Sequence, residues 1–112
     1  MDIAQVAAQL RAFARERDWE KFHTPKNLAA SVAIEAAELQ EVFQWLTDEQ
    51  SAALTSEQRA SAEREIADVA IYLIRLADQL GIDLDDAVQE KLRDNARRYP
   101  RESVHGSAAK RP

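Results

Sequence analysis

Cysteine is absent from the 112-residue sequence, which excludes disulfide frameworks, thiolate nucleophiles and cysteine-held zinc or iron–sulfur centres. The absence also fits a reducing compartment. Glycine occurs twice and proline three times, all outside the periodic stretches of the chain. Long apolar runs are missing too: the longest clean one, Val69-Ala70-Ile71-Tyr72-Leu73-Ile74, is far too short to cross a bilayer. The start, Met1-Asp2-Ile3-Ala4-Gln5, has neither the basic opening nor the apolar stretch of a secretion signal. The expectation is a soluble cytoplasmic protein with no membrane partner. Basic charge is also in deficit, with 15 Lys and Arg against 20 Asp and Glu and a net charge of −5. Gripping a nucleic-acid polymer requires many neutralised phosphates, so that partner is excluded. One phosphorylated small molecule stays compatible if a metal ion reverses the local sign.

What is present is helical. Hydrophobic residues make up 46% of the chain, enough for one folded domain but for only a modest core, so a partner subunit is a natural source of further burial. Ile3, Val6, Ala7, Leu10, Phe13 and Ala14 trace a 3.6-residue period behind a capping Asp2, predicting a helix over 3–17. Residues 18–24 break that period, and Thr24-Pro25 starts a second helix expected to reach Leu46. Residues 48–54 read as a connector with room for one irregular turn. Thr55 and Gln58 form a capping-box pattern for a long third helix ending at Leu80, where Gly81 is placed to stop it in a left-handed conformation. Asp83 and Asp86 open a fourth helix that Pro100 ends near Arg98. The expectation is one all-α domain of four helices over residues 1–100 and a mobile tail over 101–112, which is poor in apolar residues.

Acidic residues interrupt the apolar faces. Glu35 and Glu38 lie three apart on the second helix, Glu35 between Val32 and Leu39 on the stripe meant for the core. Glu65 and Asp68 repeat that spacing where the third helix becomes strongly hydrophobic. Burying unpaired carboxylates is costly and crowding them is repulsive, which leaves two remedies: basic partners elsewhere in the fold, or divalent cations that prefer oxygen ligands. Lys26 is more than two turns from Glu35, and Arg64 projects away from its neighbour Glu65. Mg²⁺ suits the arrangement, because it takes carboxylates plus waters and shares a substrate's phosphates.

Trp45 falls seven positions after Glu38 and Tyr72 four after Asp68, while Trp19, Phe22 and His23 cluster in the first loop. Such rings can stack on a nucleobase or simply pack as core and hinge residues, and His23 can equally be a structural histidine. On the fourth helix Lys91 and Asn95 are one turn apart and Arg98 follows; an ammonium, an amide and a guanidinium suit phosphate, sugar or base groups.

The stretches Arg17–Leu28, Glu35–Glu38, Phe43–Trp45, Glu65–Leu73 and Lys91–Pro100, in that order, resemble the MazG-like all-α nucleoside triphosphate pyrophosphohydrolases, in particular the small dCTP pyrophosphatase branch. The resemblance implies a four-helix MazG-like bundle that assembles as a homo-oligomer, a dimer or a tetramer made of two dimers. It implies that Glu35, Glu38, Glu65 and Asp68 hold Mg²⁺, with Mn²⁺ able to stand in, and that Glu38 and Glu35 serve catalysis. It further implies that Trp19, His23, Trp45 and Tyr72 build a base and sugar pocket, with Lys91, Asn95 and Arg98 on the nucleotide. The implied reaction converts a deoxynucleoside triphosphate, dCTP or a modified dCTP first, into the monophosphate and pyrophosphate. Competing expectations are a dUTP-directed or broad-specificity pyrophosphatase and a non-catalytic helical nucleotide-binding module.

Overall fold

The structure, a computed structural model, describes residues 1–109; positions 110–112 of the expected tail lie outside the described residues. Two compact units form, Met1–Gly81 and Ile82–Pro112. The first contains α1 (Ile3–Glu16), a 3₁₀ turn (Glu20–Phe22), α2 (Pro25–Phe43), α3 (Asp48–Ala52) and α4 (Ser56–Gln79). The second contains α5 (Leu84–Arg98) and α6 (Arg101–Val104). Among the described residues only helices, turns and loops occur, as expected of an all-α chain. The four expected helices appear as α1, α2, α4 and α5. The expected connector holds α3, and the start of the expected tail holds the single turn α6.

Local chemistry sets these boundaries. Asp2 Oδ1 accepts from the Gln5 amide at 3.1 Å, and Thr24 Oγ1 accepts from the Asn27 amide at 3.2 Å with Pro25 in the first turn. Thr47/Gln50 and Thr55/Gln58 both complete reciprocal capping boxes, satisfying donors that the first turns of α3 and α4 would otherwise expose. The first of these is why α2 stops at Phe43 and does not run on to Leu46: Thr47 begins a new helix. Gly81, at φ +67°, ends the long α4 in the left-handed conformation that a side chain would resist.

In the first unit α4 packs along α2 over the larger seam and against α1 over a smaller one. The buried apolar set is Ala7, Ala14, Leu28, Ala62, Ile74 and Ala77, and Leu28 is its largest fully buried side chain. Small residues allow close approach of the helices but leave larger ones outside: Ile34, Ile66 and Leu73 are exposed. No helix of the described residues is long and apolar enough to cross a membrane.

Candidate active site

The seam between α2 and α4 carries the acidic residues. Glu35 and Glu38 from α2 and Glu65 from α4 each present an oxygen within 4.8 Å of the others. Asp68, one turn beyond Glu65, is not part of that triad, yet its charge is felt at both Glu35 and Glu65. Glu35 Oε2 and Glu65 Oε2 are buried without a hydrogen-bond partner. Of the two remedies for interior carboxylates, basic partners are not what this cluster uses among the described residues. Arg64 turns its Nη2 to Ser61 Oγ at 3.3 Å and only weakly offsets the charge around Glu65.

The electrostatic result is a raised affinity for protons. Burial first, then a carboxyl–carboxyl hydrogen bond with Glu38 and the charges of Glu38, Asp68 and Glu65, push Glu35 up to about 7. Glu65 rises as well, through burial and then the charges of Glu38 and Asp68. Oxygen atoms forced together, desolvated and unpartnered are the environment in which a hard divalent cation replaces protons. The donor set therefore fits such an ion, with Glu35, Glu38 and Glu65 as its holders. Glu38 and Glu65 also line an open cleft of about 560 Å³ together with Glu41, Val42, Glu57, Gln58 and Ser61.

A second, apolar pocket of about 270 Å³ is lined by Leu10, Phe13, Trp19, His23, Ile71, Tyr72 and Arg75. Its outer wall depends on how α1 ends. Asp18 takes φ 54°, the Asp18 amide donates to the Arg15 carbonyl at 3.1 Å, and the Trp19 amide reaches back to the Ala14 carbonyl at 2.8 Å. This is the Schellman pattern with an aspartate where glycine is usual, one of the few other residues that tolerate that conformation. The turn brings the Trp19 ring edge-on to Phe13 at 5.8 Å and to His23 at 6.5 Å. His23 is tied to α4 through its carbonyl, which accepts from Gln79 Nε2 at 2.9 Å.

Three of the four expected base-pocket residues, Trp19, His23 and Tyr72, therefore meet in this pocket. Trp45 does not line it: the residue follows the end of α2 and is 86% exposed. The residues expected on the nucleotide from the fourth helix lie on α5 of the second unit. There Lys91 Nζ pairs with Asp94 Oδ2 at 3.5 Å, Arg98 Nη1 approaches the same carboxylate at 3.6 Å, and the Asn95 carbonyl accepts from the Tyr99 amide. Burial works against an ionised Asp94, but the Lys91 hydrogen bond and the charges of Lys91, Arg98 and Arg97 win and hold it below the usual carboxylate range.

One pocket residue escaped the sequence reading. Arg75 is 4% exposed; its Nε donates to His23 Nδ1 at 3.2 Å and its Nη1 faces Asp78 Oδ2 at 3.5 Å. Asp78 in turn accepts from Arg11 Nη1 at 2.6 Å, which joins α1 to α4. The available signal was an arginine interrupting an otherwise apolar stretch, Ile71-Tyr72-Leu73-Ile74-Arg75-Leu76. Along α4, Glu65, Asp68, Tyr72 and Arg75 fall at i, i+3, i+7 and i+10, one helical stripe about 15 Å long running from the acidic cluster to the apolar pocket.

Residues 30–111 match the MazG-like family, and the chain belongs to that family. It is 43% identical over 111 residues to dCTP pyrophosphatase 1 of Bos taurus and 41% identical over the same length to dCTP pyrophosphatase 1 of Homo sapiens, covering 97% of this chain in each case. The chain spans 64% of the length of these relatives. A crystal structure of a pyrophosphatase from Archaeoglobus fulgidus superposes with a TM-score of 0.83 at 42% identity, covering 89% of this chain and 94% of that one.

Proposed function

We propose that the protein is a divalent-cation-dependent nucleoside triphosphate pyrophosphohydrolase, acting on a deoxynucleoside triphosphate with dCTP or a modified dCTP as the first choice. The observation that carries this reading is the triad of Glu35, Glu38 and Glu65, whose buried, unpartnered oxygens border a solvent-open cleft. The family relatives named dCTP pyrophosphatase 1 supply the substrate. The α4 stripe supplies the order of parts: carboxylates for the phosphate end, then Tyr72 and the aromatic pocket for the base.

Glu35, Glu38 and Glu65, supported by Asp68, would hold Mg²⁺ or Mn²⁺. When bound, such a cation offsets triphosphate charge and acidifies a coordinated water. The protein's own task is to place the groups. Trp19 and Tyr72 hold the base, which fixes where the α-phosphorus sits. Glu38, exposed on the cleft side, orients the water whose oxygen bonds to the α-phosphorus as the bond to pyrophosphate breaks and the water's proton passes to solvent, and Glu35 in its ionised form would help hold the cation. Lys91, Asn95 and Arg98 serve the nucleotide from α5. Water and nucleoside triphosphate are consumed; the monophosphate and pyrophosphate are formed.

Exposed Ile34, Ile66 and Leu73 and the small core support self-association into a dimer or tetramer, which light scattering tests against the mass of one chain. The functional test is incubation of the purified protein with Mg²⁺ and each of the deoxynucleoside triphosphates, followed by chromatography. Equimolar monophosphate and pyrophosphate, fastest from dCTP and abolished by a chelator, is the expected result. No product from any nucleotide at enzyme levels near the substrate's would overturn the reading in favour of a non-catalytic nucleotide-binding module.

A further inference from the structure

The apolar pocket carries one charged group that nucleotide stacking does not explain. Arg75 lies in the wall of a cavity otherwise walled by Leu10, Phe13, Trp19, Ile71 and Tyr72 beside His23. Two arms of its guanidinium are committed: Nε donates to His23 Nδ1 and Nη1 faces Asp78. Nη2 makes no hydrogen bond within the described residues, and the side chain lines the cavity, which leaves this arm of the fork available to a bound molecule. The bond from Nε also settles the imidazole. Because Nδ1 accepts, the ring is neutral and its proton sits on Nε2, so His23 too offers a donor.

We propose that Arg75 is a specificity-determining residue of this pocket, selecting bases whose edge presents two adjacent hydrogen-bond acceptors. The inference rests on the reading of the protein as a nucleotide hydrolase and sharpens it. Arg75 Nη2 donates directly, and through Nε it holds His23 as the second donor. Cytosine presents N3 and O2 side by side, and guanine presents O6 and N7. Uracil and thymine place N3–H between their carbonyls, and adenine alternates acceptor with amino donor. Either mismatch sets a donor against a donor in a pocket walled mainly by apolar side chains. Asp78, itself held by Arg11, keeps the guanidinium in place from behind. The charge is therefore compensated while the forward edge stays purely donating.

The test compares kcat/KM for dCTP, dGTP, dUTP and dATP in the wild-type protein, Arg75→Met and Arg75→Lys. Wild type should prefer dCTP, dGTP or both over dUTP and dATP by about tenfold or more. Arg75→Met should lose most of that ratio through a raised KM with little change in kcat. Arg75→Lys should recover only part of it, since an ammonium keeps the charge without the fork. A folded Arg75→Met variant with wild-type base ratios would overturn the proposal, as would a wild type that treats all four alike. If the variants do not fold, 3-deaza-dCTP probes the wild-type site directly: replacing N3 by C–H should raise KM about tenfold, and an unchanged KM counts against Arg75. If the wild type hydrolyses nothing, the functional reading fails by itself. Calorimetric affinities for dCMP against dUMP then decide the pocket's preference, and equal affinities would reject it.

Discussion

Glu35 on α2 and Glu65 on α4 face the same cluster, and each keeps its Oε2 buried with no hydrogen-bond partner. Two helices have been packed together at the point where their side chains repel, so the seam is poorer in stability here than an apolar one would be.

Neutral isosteres should therefore separate stability from activity. Glu35→Gln or Glu65→Gln is expected to lower turnover at least about a hundredfold while leaving far-UV circular dichroism unchanged and raising the metal-free melting temperature by a few degrees. Retained turnover in both variants would remove the carboxylates from the chemistry.

The pH dependence follows from the raised Glu35, pushed up to about 7 from 4.5 by burial and then by its acidic neighbours. A group whose folded pKa exceeds its unfolded one favours the folded state below 4.5, and that contribution is lost as pH rises through about 7. Metal-free protein should accordingly melt lower at pH 8 than at pH 5, and Glu35→Gln should flatten that slope. Added Mg²⁺ should raise the melting temperature strongly at pH 8 and little at pH 5, because protons occupy the site in acid. Calorimetry in chelator and in Mg²⁺ measures all three.

His23 is held below 6.5 by burial first and by the Arg75 charge second. Its imidazole should show an NMR titration midpoint below that of free histidine. Arg75→Met should move the midpoint upward, since only burial then opposes protonation. A midpoint that does not respond would mean that the 3.2 Å contact between the two side chains is not kept in solution.

Leu28, 1% exposed, is the largest side chain fully enclosed in the first unit. Leu28→Ala should cost about 2–5 kcal/mol, read from chemical denaturation. Ile34→Ala, on an exposed side chain, should cost far less in the monomer.

Helix identities were legible because local chemistry specifies them: Thr24-Pro25, the Thr55/Gln58 box and Gly81 each act within a turn of where they stand. The end of α2 was misjudged by three residues because Thr47 both follows an apolar stretch and caps α3, and only the folded chain shows which role prevails. Glu35, Glu38 and Glu65 could be nominated from spacing, since carboxylates on an apolar stripe require an explanation. That Asp68 stands just outside the triad could not, because it depends on the rotation of α4 against α2. Arg75 was hidden for a different reason. Its partners His23, Asp78 and Arg11 come from three places in the chain, and no local pattern links them.

The alanines at positions 7, 14, 62 and 77 invert the usual fragility of a protein interior. An interior filled by bulky side chains fails when they are trimmed. Here there is almost nothing to trim at these four sites, and harm comes from growth: a valine or leucine at Ala62 or Ala77 would wedge the helices apart, at about 1–3 kcal/mol for each overfilled site. Because Ala62 and Ala77 bracket the stripe that runs from Glu65 to Arg75, such a wedge would also misalign the acidic cluster relative to the apolar pocket. Catalysis should then fail before folding does.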